Sequence, residues 1–187
     1  MKKIMIAAAI VCAAAFVQAA SIDWGVPNNS ILMSDGVSKP AKNTLVYLIN
    51  GDTALDTVAA GVTAGTVTDQ AWFYGSAMTS NTKGYIANNT VDGGTKLTAG
   101  TEYNFSALLI DGDKYMVSKT YAQNAYTPGV DEATAVSFAS TYFGANAQTA
   151  ALSGAVNGWA TAAVPEPTSA MLLVLGVAGL ALKRKRA

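Results

Sequence analysis

The sequence predicts a mainly β protein: a small β-sandwich or open barrel with one short helix, and an apolar helix at each end of the chain. Three observations predict this class. The run Thr44–Ile49 is almost continuously apolar and ends at a turn-forming Asn-Gly-Asp cluster, as a strand buried on both faces does. Asp111-Gly112-Asp113 separates two β-like segments, which is a strong hairpin signal. Turn signals recur at short intervals between strand-like segments, and this spacing is typical of all-β folds.

The β-rich domain is predicted over residues 20–159. After Thr44–Ile49, the aromatic segment Ala71–Tyr74 is the next candidate strand, and Gly75 ends it. The hairpin follows within Glu102–Tyr121, where apolar residues alternate around the Asp-Gly turn. Ala135–Ala139 and the segment before Trp159 are expected to complete a sheet.

One short helix is predicted at Thr53–Ala60. Asp52 or Thr53 would be its N-cap, because both side chains accept hydrogen bonds from the first free amides of a helix. Gly61 would end it, since glycine readily adopts the left-handed conformation that terminates helices.

The N-terminus has the three parts of a secretory signal peptide, predicted over residues 1–19. A positive start, Met1-Lys2-Lys3, precedes the uncharged apolar run Ile4–Val17, and small residues follow. The cut is expected after Ala19, with Ala20 as the alternative. An uncleaved anchor is disfavoured, because about 14 apolar residues are fewer than the roughly 20 that span a bilayer. Signal peptidase is therefore an expected partner.

The C-terminus has three parts in a fixed order. Pro165-Glu166-Pro167 is stiff and extended, because each residue before a proline is kept out of the α region. Ala170–Leu182 contains no polar side chain, and the basic tail Lys183, Arg184, Lys185 and Arg186 follows at once. Thirteen helical residues span only about 20 Å, so a buried core helix is the alternative by length. The four cations instead favour a single transmembrane helix whose end stays in the cytoplasm.

VPEPTSAMLLVLGVAGLALKRKRA resembles the PEP-CTERM sorting signal of bacterial envelope proteins. The shared features are the Pro165-Glu166-Pro167 triplet, the short helix with Gly176 and Gly179, and the basic tail. The resemblance implies recognition by exosortase, a membrane-embedded protease-transferase that cuts near the triplet. Many members of this family occur in Gram-negative bacteria that make exopolysaccharide matrices. Residues 165–187 would be this signal, and residues 160–164 a linker to it.

Composition excludes several functional classes. The chain of 187 residues has no histidine, and its one cysteine is Cys12. A histidine-based catalytic triad, a histidine metal site and a thiol nucleophile in the β-rich domain are therefore excluded. Ser21–Val164 holds six lysines, no arginine and eleven acidic residues, a net charge of −5. A nucleic-acid-binding protein should show a basic stripe, so nucleic acid is not an expected partner.

Candidate sites in the β-rich domain are few. Trp72 and Tyr74 are separated by one residue and would share one face of a strand, where they could form a stacking platform for sugar rings. Aromatic residues in strands more often belong to the core. Asp111 and Asp113 could supply oxygen ligands to Ca²⁺, but two aspartates around a glycine are more often simply a turn. We expect no metal and no cofactor.

The sequence therefore predicts a protein that is exported across the inner membrane, anchored transiently, and then sorted to the cell envelope, surface or extracellular space. The expected role is non-enzymatic, in the envelope or extracellular matrix. A surface-displayed carbohydrate-binding module, with exopolysaccharide as its partner, is the alternative. A secreted hydrolase that uses carboxylates is a third class, disfavoured by the missing histidine and cysteine.

Overall fold

A computed structural model describes residues 21–92, 96–98, 100–123 and 134–162. The predicted signal peptide, the Pro-Glu-Pro triplet, the apolar C-terminal helix and the basic tail lie outside the described residues. The described strands are β1 Ser21–Val26, β2 Leu45–Asn50, β3 Phe73–Met78, β4 Ile86–Asp92, β5 Tyr103–Asp111, β6 Lys114–Val117, β7 Tyr121–Gln123, β8 Thr134–Ser137 and β9 Ala160–Thr161. One α-helix, α1 Leu55–Ala64, and four 3₁₀ turns, Val67–Asp69, Ser140–Tyr142, Gly144–Asn146 and Gln148–Ala151, complete the described elements.

The strands form two open sheets, which confirms a mainly β fold with one short helix. The smaller sheet has the order β4-β1-β8, with β1 antiparallel to β4 and parallel to β8. The larger sheet has the order β3-β2-β5-β6-β9, and β7 pairs with β5 beyond the end of β6. All of its pairings are antiparallel. The β5–β6 hairpin turns at Gly112, whose φ of 62° is the left-handed conformation expected of an Asp-Gly turn.

The two sheets enclose one apolar cluster. Trp24 of β1 and Val91 of β4 belong to it, as do Leu48 of β2 and Phe105 of β5. The sheets approach closely at Gly75, because a Cβ atom there would lie 2.5 Å from a Val91 methyl group. This glycine therefore allows close contact between β3 and β4.

The other face of the larger sheet packs against α1 and the turn after it. Strand alternation places Ile49, Leu108 and Val117 on this face, where they meet Val58 of α1 and Trp72. The central strands β2 and β5 are thus apolar on both faces, as the continuous run Thr44–Ile49 predicted.

The helix begins and ends later than predicted. It runs over Leu55–Ala64, its N-cap is Ala54, and Gly65 ends it with φ 67°. Gly61 lies inside the helix and is buried. A Cβ atom at this position would lie 2.8 Å from the Trp72 ring. Gly61 therefore allows close packing of the helix on Trp72 and does not end the helix.

The predicted linker over residues 160–164 is wrong at its first three positions. Ala160 and Thr161 pair with Tyr115 and Lys114 as strand β9. Ala160 and Ala162 are buried in the cluster beneath α1. The folded domain therefore extends to Ala162, because a small apolar segment covers the free edge of β6.

Candidate functional site

The last described residues attach the end of the domain to the β5–β6 hairpin. The Ala162 N–H donates a hydrogen bond to the Asp113 carbonyl oxygen at 2.8 Å. Next to this pair, Thr161 faces Lys114 across the ladder. Further along β6, the Val117 N–H donates to Thr149 Oγ1 at 3.2 Å. The outer edge of β6 is thus covered first by β9 and then by the turn at Gln148–Ala151.

Trp159 fixes the segment that leads into β9. Its side chain is 2% exposed and packs between the two sheets, while its indole N–H donates to the Leu32 carbonyl oxygen at 3.0 Å. Ala160, one residue later, packs on the opposite side of the sheet. The deeply buried Trp159 therefore comes directly before the two-residue edge strand β9.

The tip of the hairpin holds a neighbouring loop. Asp111 accepts a hydrogen bond from Ser34 Oγ at 2.5 Å and a second from the Ser34 N–H at 3.3 Å. Among the described residues, no three His, Cys, Asp or Glu side chains come together as a metal site would require. Asp111 therefore accepts hydrogen bonds that attach the loop at Ser34 to the hairpin turn.

The structure does not bring Trp72 and Tyr74 onto one surface. Trp72 is only 7% exposed and packs under the helix, whereas Tyr74 packs with the cluster between the sheets. The reason is local: Trp72 precedes β3, and the β2–β3 register shifts between Leu48 and Ile49, so strict alternation does not extend to it. Trp24 and Trp159 are also buried.

Tyr74 instead belongs to a half-buried aromatic group. Its ring meets Tyr103 edge to face at a centroid distance of 6.3 Å and Phe105 at 5.6 Å. Burial, followed by the charges of Tyr103 and Asp52, raises the pKa of Tyr74 to about 12. Asp52 itself accepts two hydrogen bonds from the Asn104 amide, both at 2.9 Å. These contacts fix the end of β2 to β5.

A surface cavity of about 330 Å³ lies near the end of the domain that carries Trp159. It is lined by uncharged residues, namely Asn29, Ser30, Leu32, Ser140, Phe143, Gly144, Ala145 and Asn157. Its volume lies within the range of small-molecule sites. Amides, hydroxyls and one aromatic wall suit a neutral ligand rich in hydroxyl groups, because asparagine both donates and accepts hydrogen bonds.

The cavity is built on unusual backbone. Asn29, Asn43 and Asn157 are the described non-glycine residues with positive φ, and two of these line the cavity, with φ values of 64° and 51°. Lys39 Nζ donates to Asn29 Oδ1, and Asn157 lies against Gly36. Sequence reasoning missed this site, because its residues lie in three separate loops and no short motif joins them.

The comparisons with known proteins concern the segment that follows Ala162. Residues 163–186 match the model of the PEP-CTERM protein-sorting motif. No curated protein and no solved structure is significantly similar to the chain. The chain therefore carries a PEP-CTERM protein-sorting motif, which indicates an exosortase substrate that is exported and sorted to the cell surface. This confirms the resemblance seen in the sequence.

The predicted sorting residues Pro165, Glu166 and Pro167 and the tail Lys183–Arg186 lie within the matched segment. No helix in the described part of the chain is long and apolar enough to span a membrane. The match begins at the residue after Ala162, whose N–H bonds to the Asp113 carbonyl oxygen.

Proposed function

We propose that the protein is a non-enzymatic component of the cell envelope or extracellular matrix, delivered by exosortase processing at Pro165–Pro167. The observation that carries this proposal is the PEP-CTERM match over residues 163–186, which begins directly after Ala162, a residue bonded to the folded domain. The motif supplies the route of delivery, and the β-rich domain is what is delivered.

The bonding of the acidic side chains supports a structural role for the domain. Asp111 holds Ser34, Asp52 holds Asn104, and Asp23 accepts a hydrogen bond from Thr90 Oγ1. Asp35 accepts hydrogen bonds from Ser38 and Val37, and these bonds lower the pKa of its carboxyl. Carboxylates that join separate segments, as Asp111, Asp52 and Asp23 do, or that stabilise their own turn, as Asp35 does, favour a scaffold over a hydrolytic pair.

The test is an immunoblot of matched cells with and without exosortase. The wild-type protein should lose residues 170–187 only in cells that contain the enzyme. Glu166→Ala should accumulate as the longer, membrane-bound form, because Glu166 carries the only charge between Glu132 and Lys183. Glu102→Ala, which removes an exposed carboxylate of the folded domain, is the matched control and should be processed like the wild type.

N-terminal sequencing of the same envelope material reads export separately from processing. Glu166→Ala should still lose its signal peptide, so its N-terminus should begin at Ala20 or Ser21. Wild-type protein of the same mass in both strains, with residues 170–187 attached, would overturn the proposal and leave the C-terminal segment as a simple anchor.

A carbohydrate-binding role is the second candidate function, favoured by the uncharged cavity at Asn29 and Asn157 rather than by Trp72 and Tyr74. The two asparagine amides can pair with neighbouring hydroxyl groups, and Phe143 supplies an apolar wall. Trp159 is a built-in reporter, because its indole N–H holds the carbonyl of Leu32, a residue of the cavity wall.

This role is tested by titrating the purified folded domain with glucose, galactose and their disaccharides while following tryptophan fluorescence. Binding should be saturable and should be lost in Asn157→Asp, which keeps the shape but replaces the donor amide with a charge. Asn43→Asp changes another asparagine of positive φ outside the cavity and should bind like the wild type. Equal fluorescence changes in the Asn157→Asp and Asn43→Asp variants would show that the cavity is not a sugar site.

A further inference from the structure

The strand β9 and the start of the sorting motif are adjacent in the chain, with only Ala162 between them. We propose that β9 is a releasable clasp: Ala160–Ala162 detach from β6 when exosortase engages the motif, and Trp159 stays in place as the fixed end of the domain. This inference rests on the proposed processing at Pro165–Pro167 and concerns its regulation by the fold.

The first argument is reach. Glu166 lies four residues beyond Ala162, and a chain advances at most about 3.6 Å per residue, so the attached strand lets Glu166 stand only about 14 Å from the edge of the sheet. Once β9 is released, Trp159 becomes the last fixed residue, seven residues before Glu166. The limit then becomes about 25 Å, which allows the triplet to enter a membrane-embedded enzyme without the domain entering as well.

The second argument is hydrogen bonding. Extended peptides bind their receptors through backbone N–H and C=O groups. The N–H of Ala162, three residues before Pro165, already donates to Asp113 O. An enzyme that recognises the backbone on this side of the triplet must replace that bond.

The third argument is that release can stop at a defined residue. β9 has two residues and lies at the edge of its sheet, and the buried side chains of Ala160 and Ala162 are single methyl groups. Trp159, in contrast, has its ring between the sheets and its indole N–H bonded to Leu32. Edge segments with few buried contacts open locally without global unfolding, so opening should progress from the C-terminal end to Trp159 and stop there.

The experiment locks the clasp with a disulfide. Because Asp113 and Ala162 form a hydrogen-bonded pair, the adjacent Lys114 and Thr161 form a pair without ladder bonds, and the Cα atoms of such a pair lie only about 4.5 Å apart. Lys114→Cys with Thr161→Cys therefore meets the geometry of a disulfide. The control is Asp23→Cys with Thr90→Cys, an antiparallel pair in the smaller sheet.

Membranes that contain exosortase are supplied with each full-length precursor, with and without dithiothreitol. If nine-tenths of the Lys114/Thr161 variant is oxidised, its conversion should fall about tenfold, because only the openable fraction is competent. Dithiothreitol should restore conversion, which excludes misfolding as the cause, and the control pair should be processed like the wild type. A six-residue Gly-Ser insertion after Ala162 should also restore conversion of the oxidised protein by supplying the missing reach.

The clasp proposal would be overturned if the oxidised Lys114/Thr161 variant were converted at the wild-type rate. It would also be overturned if the oxidised variant with the six-residue insertion stayed unprocessed. Wild-type precursor that these membranes leave intact would instead overturn the proposed processing itself. The two failures are therefore distinguishable.

Discussion

Ala162 donates its backbone N–H to the carbonyl oxygen of Asp113 at 2.8 Å, and this bond is the last described contact before the sorting motif. It joins the end of the domain to the tip of the β5–β6 hairpin. The same hairpin tip holds Ser34 through Asp111. Ala162, the tip of the hairpin and the loop around Ser34 are therefore connected by hydrogen bonds.

Ala162→Pro should lower the free energy of unfolding by about 0.5–1.5 kcal/mol, the net value of one hydrogen bond. Proline is otherwise tolerated on an edge strand. Thr161→Pro is the matched control, because the N–H of Thr161 points away from β6 in the pair that lacks ladder bonds. Urea denaturation of the two variants should separate them, and equal midpoints would show that the Asp113 bond adds nothing.

Leu48→Ala should cost about 2–5 kcal/mol, the usual range for a buried leucine. Leu48 is fully buried on β2, between β3 and β5. Leu32→Ala, at a side chain that is 40% exposed, should stay within about 0.5 kcal/mol of the wild type. Similar costs for the two leucines in urea denaturation would contradict a core centred on β2.

Gly75→Ala should destabilise the protein by about 1–3 kcal/mol, because the new methyl group would meet Val91 of the smaller sheet. Val91→Ala removes that obstacle. In the double variant the two costs should therefore be less than additive, with a coupling of about 0.5–3 kcal/mol. Strict additivity in a double-mutant cycle would show that the sheets do not meet at this point.

Elements defined by local chemistry were predictable from the sequence. The strand β2 and the Asp111-Gly112-Asp113 turn are examples, because continuous apolar character and a glycine of positive φ are properties of a few adjacent residues. Gly61 was misassigned because its role depends on Trp72, which packs against it from a later segment. The edge strand β9 was mistaken for part of a linker, since Ala160, Thr161 and the following Ala162 show no strand pattern until β6 is beside them.

The sorting motif could be predicted from the sequence and the cavity could not, because the motif is contiguous and the cavity is formed by separate loops. Pro165-Glu166-Pro167, the apolar run and the basic tail are contiguous, so they could be recognised as one signal. The cavity joins Asn29 to Ser140 and Asn157, and the sequence alone does not place these residues together. Trp72 and Tyr74 do not share a face as expected, because the β2–β3 register shifts where regular alternation was assumed.

Tyr74→Phe should stabilise the protein relative to the wild type at alkaline pH and much less near neutrality. Burial raises the pKa of Tyr74 in the folded state from 10.0 to about 12. Between these two values the unfolded chain releases the tyrosine proton while the folded chain keeps it, so wild-type stability falls as the pH rises. The measurement is urea denaturation of both proteins at about pH 7 and at about pH 11. A difference in stability that is the same at both pH values would contradict a raised pKa.

Deletion of Lys183–Arg186 should act on membrane retention, whereas Glu166→Ala acts on processing. The four cations are expected to hold the end of a short helix in the cytoplasm. Without them, thirteen apolar residues span only about 20 Å and have no charged end to oppose withdrawal. In cells that lack exosortase, the deletion should therefore shift the exported precursor from the membrane to the soluble fraction on cell fractionation. The double substitution Arg184→Lys with Arg186→Lys keeps all four charges and should remain in the membrane. Equal membrane retention of the deletion and of this control would show that the apolar helix anchors the chain without its basic tail.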